Sequence, residues 1–313
     1  MLTLLALAAL GLALLTVAAD HLVLGAGRLA ARFGISPVVV GVVVIGLGTS
    51  APELVVSGIA SVRGDGGLAV ANLVGSNVLN VTVILGIAAL VAPVKVRSSV
   101  PRREAPLSVA AVTLFAALVL VGLGRLAGAL LGAALILTVV ILVRLAHVTT
   151  ADPLPAEVGD FLDAPPVPRA GREALRAVLG LAGTLLGAHL LVANAATAAQ
   201  RLGVPQTVVG FTLVAVGTSL PELVTAVQAQ RRGDADLLVG NLLGSNLFNA
   251  VAGGAVVGLM GRGEPARLGY PVLAAMVAVS LLTWLVLYRG YRVSRFEAVL
   301  LLVAYALTLP LIT

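Results

Sequence analysis

Gly48-Thr49-Ser50-Ala51-Pro52-Glu53-Leu54 lies inside a long apolar run, and Gly217-Thr218-Ser219-Leu220-Pro221-Glu222-Leu223 repeats it inside another. A proline within a helix removes a backbone donor and clashes with the preceding turn. A carboxylate in apolar surroundings is expensive, and within a membrane it marks a working site. The two stretches restrict the chain to folds that break two helices and give both carboxylates a polar interior. Composition says what surrounds that interior. Hydrophobic residues make up 59% of the chain, charged residues 11%, and the mean hydropathy is +1.10. Soluble domains average about 45–50% and 25%. The expected fold class is therefore an all-α integral membrane protein, and 313 residues allow roughly ten spans of about 20–25 residues.

Apolar runs punctuated by Arg, Gly and Pro predict helices at 2–31, 37–62, 68–92, 104–122 and 126–148, then at 173–200, 206–231, 236–260, 268–288 and 294–312. Residues 1–27 hold no Lys or Arg, so the first segment reads as a retained span rather than a cleaved signal peptide. Between the two groups, residues 151–170 carry five prolines and four acids and read as an extended, solvated linker. The domains expected are 1–150, the linker 151–170, and 171–313. With ten spans, alternate connections hold 15 and 5 of the 20 Lys and Arg. The positive-inside rule then places the linker in the cytoplasm and both termini outside, in a multi-pass plasma (inner) membrane protein. The net charge of +6 is a matter of topology, and nucleic acid is not an expected partner. Without cysteine there is no disulfide framework or thiolate metal site.

A shift of 169 aligns residues 34–80 with 203–249 without a gap, with 23 identities in 47 positions. Beyond the Pro-Glu stretch the identities include Arg63-Gly64-Asp65 with Arg232-Gly233-Asp234, Asn72 with Asn241, Gly75-Ser76-Asn77 with Gly244-Ser245-Asn246, and Asn80 with Asn249. Five spans per half is odd, so the halves insert in opposite orientations. Inverted repeats interrupted at corresponding helices, here 2 and 7, are a signature of secondary transporters with a site near the midplane.

Thr49–Glu53 begins about 18 Å along helix 2, near the middle of a ~30 Å core. Ser50-x-x-Glu53 also fits a capping box, with Ser50 as N-cap and Pro52 in the first turn of a second half-helix. A cap alone would leave a midplane carboxylate without a counter-charge, since no basic residue lies in either motif. Thr49 and Ser50 sit at helical spacing from Glu53, as Thr218 and Ser219 do from Glu222. Helices 3 and 8 add Asn72, Ser76, Asn80 and Asn241, Ser245, Asn249, each trio along one face. Asn72 and Asn241 are expected to hydrogen-bond between helices, the others to ligate. Two carboxylates with hydroxyl, amide and carbonyl oxygens suit a hard cation; Ca2+ takes 6–8 oxygens, and Mg2+ demands a tighter, wetter octahedron. A divalent ion or several monovalent ions can satisfy the same pair, but not together. That exclusion is the basis of antiport.

These motifs resemble the cation/Ca2+ exchanger superfamily in its sodium/calcium exchanger branch, of prokaryotic type without a regulatory domain. The resemblance covers the whole chain and rests on Gly48–Glu53 with Gly75–Asn80 and Gly217–Glu222 with Gly244–Asn249. It implies a non-enzymatic Na+/Ca2+ antiporter working by alternating access, with helices 1 and 6 sliding against the other eight. Glu53 and Glu222 would bind Ca2+ and Na+, with ligands from Thr49, Ser50, Thr218, Ser219, Ser76 and Ser245. The carbonyls of Gly46 and Ala215 would flank Na+ positions. Asn at both Asn80 and Asn249, where some relatives carry one Asp, leaves two negative charges in the site. An H+- or K+-dependent Ca2+/cation antiporter of the same fold is the alternative. An intramembrane serine hydrolase built on Ser50 or Ser219 is the reading from another class, and it needs an activating base that neither motif contains. No cofactor and no obligate protein partner are expected beyond Ca2+, Na+ and the bilayer. Asp20, with His189 at the equivalent position, is expected to play a structural or gating part, and Arg28 and Arg32 to snorkel.

Overall fold

The computed structural model describes residues 1–33, 46–97, 99–146, 158, 170–261 and 266–312. In a bilayer every backbone donor and acceptor must be satisfied within the protein, and this apolar chain does so almost entirely with helices. They are α1 (Leu2–Arg32), α2 (Gly46–Thr49), α3 (Ala51–Arg63), α4 (Gly66–Val91), α5 (Glu104–Val121) and α6 (Arg125–Ala146) in the first half. The second half holds α7 (Ala170–Leu202), α8 (Gln206–Thr218), α9 (Leu220–Arg232), α10 (Ala235–Met260), α11 (Tyr270–Gly290) and α12 (Arg295–Thr308). Every expected span has a helical counterpart, although the start of 37–62 lies outside the described residues.

Among the described residues, seven helices are long and apolar enough to cross a membrane, and the bent pair α8–α9 makes an eighth. Two of the ten expected spans are not in that number. One is the span whose first residues are not described, and the other is α12, with 14 residues before a short 3-10 turn at Leu309–Leu311. Two further features depart from expectation. A two-residue ribbon pairs β1 (Val94–Lys95) with β2 (Arg292–Val293), antiparallel, giving two loops the backbone partners they lack. Val158, within the linker read as solvated, is buried among core residues; an apolar side chain gains by leaving water.

The centre of the molecule is α4 and α10, buried along most of their length. Each contains one π turn, at Asn80–Ile84 and Asn249–Gly253, and α8 has another at Gly210–Val214. Glycines set how closely these helices meet. A Cβ on Gly75 would stand 2.6 Å from the carbonyl oxygen of Phe211, so α4 and α8 touch backbone to backbone. At the flank, α1 and α7 pack in the same way. A Cβ on Gly11 would lie 2.7 Å from Leu191 N, and one on Gly180 would lie 2.5 Å from Leu22 N. The second contact is the first with 169 added to one partner and subtracted from the other.

Candidate cation site

The Pro-Glu stretches break their helices at the serine. Ser50 and Ser219 sit between α2 and α3 and between α8 and α9, each with a proline in the first turn of the following helix. The α8–α9 axis bends by 44° there. The capping box that Ser50-x-x-Glu53 fits does not form, and neither serine side chain caps its helix. Ser50 Oγ turns to Ser245 O at 3.5 Å, and Ser219 Oγ donates to Glu53 Oε1 at 3.1 Å. Each hydroxyl has crossed to the other half of the chain, because a buried carboxylate or carbonyl there is the stronger acceptor.

Glu53 and Glu222 are both 0% exposed. Among the described residues neither forms an ion pair. Among the described residues, Glu53 Oε2 and both carboxylate oxygens of Glu222 accept no hydrogen bond. Thr49 Oγ1 donates to Asn241 Oδ1 at 3.0 Å and Thr218 Oγ1 to Asn72 Oδ1 at 3.2 Å, the same bond in both halves. The two threonines also lie 3.3 Å from the carbonyls of Gly46 and Ala215, and Thr49 Oγ1 is 3.0 Å from Ser245 Oγ. Ser76, Asn80 and Asn249 complete the group. All three are buried, and Ser76 Oγ, Asn80 Oδ1 and both polar atoms of Asn249 lack a partner.

All twelve residues singled out in the sequence are thus buried around the two helix breaks. Asn72 and Asn241 bond between helices, as expected. Sequence reasoning passed over Asn246, whose amide accepts from Asn80 at 3.0 Å and donates to Asn77 O at 2.9 Å, tying α4 to α10. Its signal was present, since Asn77 and Asn246 stand in the duplicated Gly-Ser-Asn. It also passed over Ser57, which accepts from Asn72 Nδ2 at 3.0 Å. Nothing marks Ser57, because Ala226 occupies the equivalent position. Asp20 is exposed on α1 and is not part of this group, and Arg28, expected to snorkel, pairs with Glu173 at 3.5 Å.

Buried oxygens without donors are costly when left unmet. Here most of them are acceptors around two carboxylates, which a cation satisfies and a neutral ligand does not. Among the described residues no cluster of three or more His, Cys, Asp or Glu occurs. The donor set is oxygen, the preference of hard cations. A helical membrane protein with such a centre belongs to the class that handles metal cations within the bilayer.

Comparison with known proteins agrees. Residues 3–146 and 174–313 match the family described as sodium/calcium exchanger protein, and the chain belongs to that family. It is 38% identical over 303 residues to CaxA of Alkalimonas amylolytica, covering 94% of each chain. It is 30% identical over 340 residues to the sodium/calcium exchanger MaX1 of Methanosarcina acetivorans, covering 95% of this chain and 94% of that one. Its fold matches the sodium-calcium exchanger NCX_Mj, solved after soaking with Na+ and Sr2+, with a TM-score of 0.71, 29% identity and 99% of both chains covered. The chain is a multi-pass membrane transporter of a family that exchanges Na+ and Ca2+.

Proposed function

We propose that this chain exchanges Na+ for Ca2+ across the plasma membrane by alternating access, and that Glu53 and Glu222 hold the transported ion in turn. The observation that carries the reading is the pair of buried carboxylates, one from each half, with three oxygens unbonded and no basic partner among the described residues. Thr49, Ser50, Ser76, Asn80, Thr218, Ser219, Ser245 and Asn249 join the two carboxylates as ligands. The carbonyls of Gly46 and Ala215 serve Na+. Two negative charges balance one Ca2+, and bringing in Na+ removes the reason for Ca2+ to stay.

The architecture proposed is ten spans in two inverted halves, 1–150 and 171–313, joined by the cytoplasmic segment 151–170, with both termini outside. Its support is the recurrence of contacts with the partners exchanged. Thr49–Asn241 answers Thr218–Asn72, and Gly11–Leu191 answers Gly180–Leu22. Helices α1 and α7 are the pair proposed to slide, supported by their glycine-lined contact at the flank. The serine-hydrolase reading loses ground on geometry. His21 and His189 bond to Arg176 and Arg63, while Ser50 and Ser219 bond to Ser245 O and Glu53.

Membrane vesicles test the coupling. Radiolabelled Ca2+ should enter only against an outward Na+ gradient. Equal uptake with choline replacing internal Na+ overturns sodium coupling, and uptake that follows a pH gradient transfers it to protons. Glu53→Gln and Glu222→Gln should each abolish exchange; full activity in either removes that residue from the site.

A further inference from the structure

The hydroxyls of Thr49 and Thr218 each carry a single hydrogen, and its direction decides what they offer a cation. Thr218 Oγ1 reaches Asn72 Oδ1 at 3.2 Å and Ala215 O at 3.3 Å. A hydrogen given to Asn72 leaves the hydroxyl lone pairs and the Ala215 carbonyl open to Na+. A hydrogen given to Ala215 O occupies that carbonyl. Thr49 has the same choice between Asn241 Oδ1 and Gly46 O, with Ser245 Oγ as a third neighbour. Each asparagine therefore sets its threonine, provided that it keeps its oxygen and not its nitrogen turned inward.

Asn72 is held in that orientation from behind. Both hydrogens of its planar amide are committed, to Ser57 Oγ at 3.0 Å and to Glu53 O at 3.4 Å. Glu53 O can only accept, and Ser57 Oγ accepts because its own hydrogen goes to Ala69 O at 3.1 Å. Turning the amide over would set its oxygen against two acceptors. Ser57 and Asn72 are fully buried, so bulk water offers no substitute. In the second half this brace is missing. Ala226 stands at the position equivalent to Ser57, and among the described residues Asn241 Nδ2 has no partner. Asn241 keeps one hydrogen bond to Thr49 whichever way its amide faces, so nothing fixes the choice. Once it is turned, the Thr49 hydrogen falls to Gly46 O or Ser245 Oγ.

We infer that Ser57 is a positioning residue for Na+: through Asn72 it keeps the Thr218 hydroxyl and the Ala215 carbonyl open to the ion, whereas Asn241, unbraced, turns over when Na+ leaves Thr49. This rests on the assignment of the Gly46 and Ala215 carbonyls to Na+ proposed above. Ca2+ is held mainly by the charge of Glu53 and Glu222, which neither amide orientation alters, so the brace acts on Na+ more than on Ca2+. A hydroxyl that only held α3 against α4 would change stability and leave ion affinity alone.

The test is Na+ binding to the purified full-length protein in detergent, read as the rise of the thermal midpoint with Na+ at constant ionic strength, choline being the replacement cation. Losing one orienting hydrogen bond weakens one ion position about fivefold, and with several Na+ sharing the site the half-saturating concentration moves about twofold. Ser57→Ala keeps only the longer brace to Glu53 O and should raise half-saturating Na+ by about that factor. Ala226→Ser, with Leu238 O as the counterpart of Ala69 O, should lower it by about as much. Half-saturating Ca2+ should move less than half-saturating Na+ in both variants, and Ser61→Ala should move neither. Unshifted Na+ binding in the folded variants overturns the inference, as do shifts of the same sign in both or equal shifts for Na+ and Ca2+. If Ala226→Ser does not fold, Ser57→Ala decides. Binding is read without transport, which separates the two failures. Vesicles that take up Ca2+ without Na+ coupling overturn the proposed exchange and leave the binding shifts standing, whereas coupled exchange with unshifted Na+ binding overturns only the role of Ser57.

Discussion

Ser219 and Glu222 are separated by one turn of α9, yet they serve different partners. Ser219 donates to Glu53, while the Glu222 carboxylate receives nothing. The inequality extends outward. Asn72 Nδ2 reaches Ser57 Oγ at 3.0 Å and Glu53 O at 3.4 Å, and Ser57 in turn donates to Ala69 O at 3.1 Å. In the second half Ala226 cannot accept, and Asn241 Nδ2 is left without a partner. The two carboxylates thus share a motif but not a surrounding. Ser57→Ala should lower stability by about 1 kcal/mol, the lower end for an unmet buried donor since the bond to Glu53 O survives. Among the described residues the Ser61 hydroxyl bonds only to Ser57 O within its own helix, and Ser61→Ala should change stability by less than ~0.5 kcal/mol. Thermal unfolding of the two variants measures the contrast; equal midpoints would mean that Ser57 does not hold Asn72.

At the scale of helices, close approach and interruption divide the work. The breaks at Ser50 and Ser219 release backbone and hydroxyl groups where the carboxylates sit. The π turns at Asn80–Ile84 and Asn249–Gly253 begin at the asparagines that end each polar stripe; such turns gather at functional positions. Between helices the glycines decide the spacing. On Gly187 a Cβ would meet Leu15 N at 2.6 Å, whereas around Gly171 nothing lies within 4 Å. Gly187→Ala should therefore cost about 1–3 kcal/mol, because the new methyl meets backbone that cannot rotate away. Gly171→Ala should be neutral or stabilise by up to ~1 kcal/mol through helix propensity. Opposite shifts in the thermal midpoint are the expected result, and a loss at both positions would contradict the packing described.

For the whole molecule the question is which way the chain is threaded. The division of Lys and Arg between alternate connections sets a direction, and the lack of native cysteine makes it easy to test. Leu2 and Gly171 are exposed. A membrane-impermeant maleimide should label Leu2→Cys in intact cells and Gly171→Cys only after permeabilisation. Labelling of both from one side would require an odd number of spans in each half to be given up. The ribbon of Val94–Lys95 with Arg292–Val293 joins the loop before α5 to the loop before α12, so the two halves are clasped away from the site as well as at it.

Much of the site was legible in the chain alone, for a physical reason. In hydrocarbon a carboxylate, a proline or an asparagine is too costly to sit where it does nothing, so Glu53, Pro52, Asn80 and their counterparts marked themselves. Repetition at a spacing of 169 showed which residues belong together, and apolar runs located the helices to within a few residues. Local spacing could not say where a side chain turns once it has a choice of partners. Ser50 fits a cap by sequence, and the fold turned both Ser50 and Ser219 to acceptors across the molecule. Ser57 and Asn246 matter only through neighbours brought near by packing, and the burial of Val158 depends on a surface that a linker sequence does not describe. The sequence by itself determined that two carboxylates must be housed inside a helical membrane protein. Tertiary structure alone decided that Glu53 receives a hydrogen bond and Glu222 does not, because that difference lies in contacts between halves whose motifs are the same.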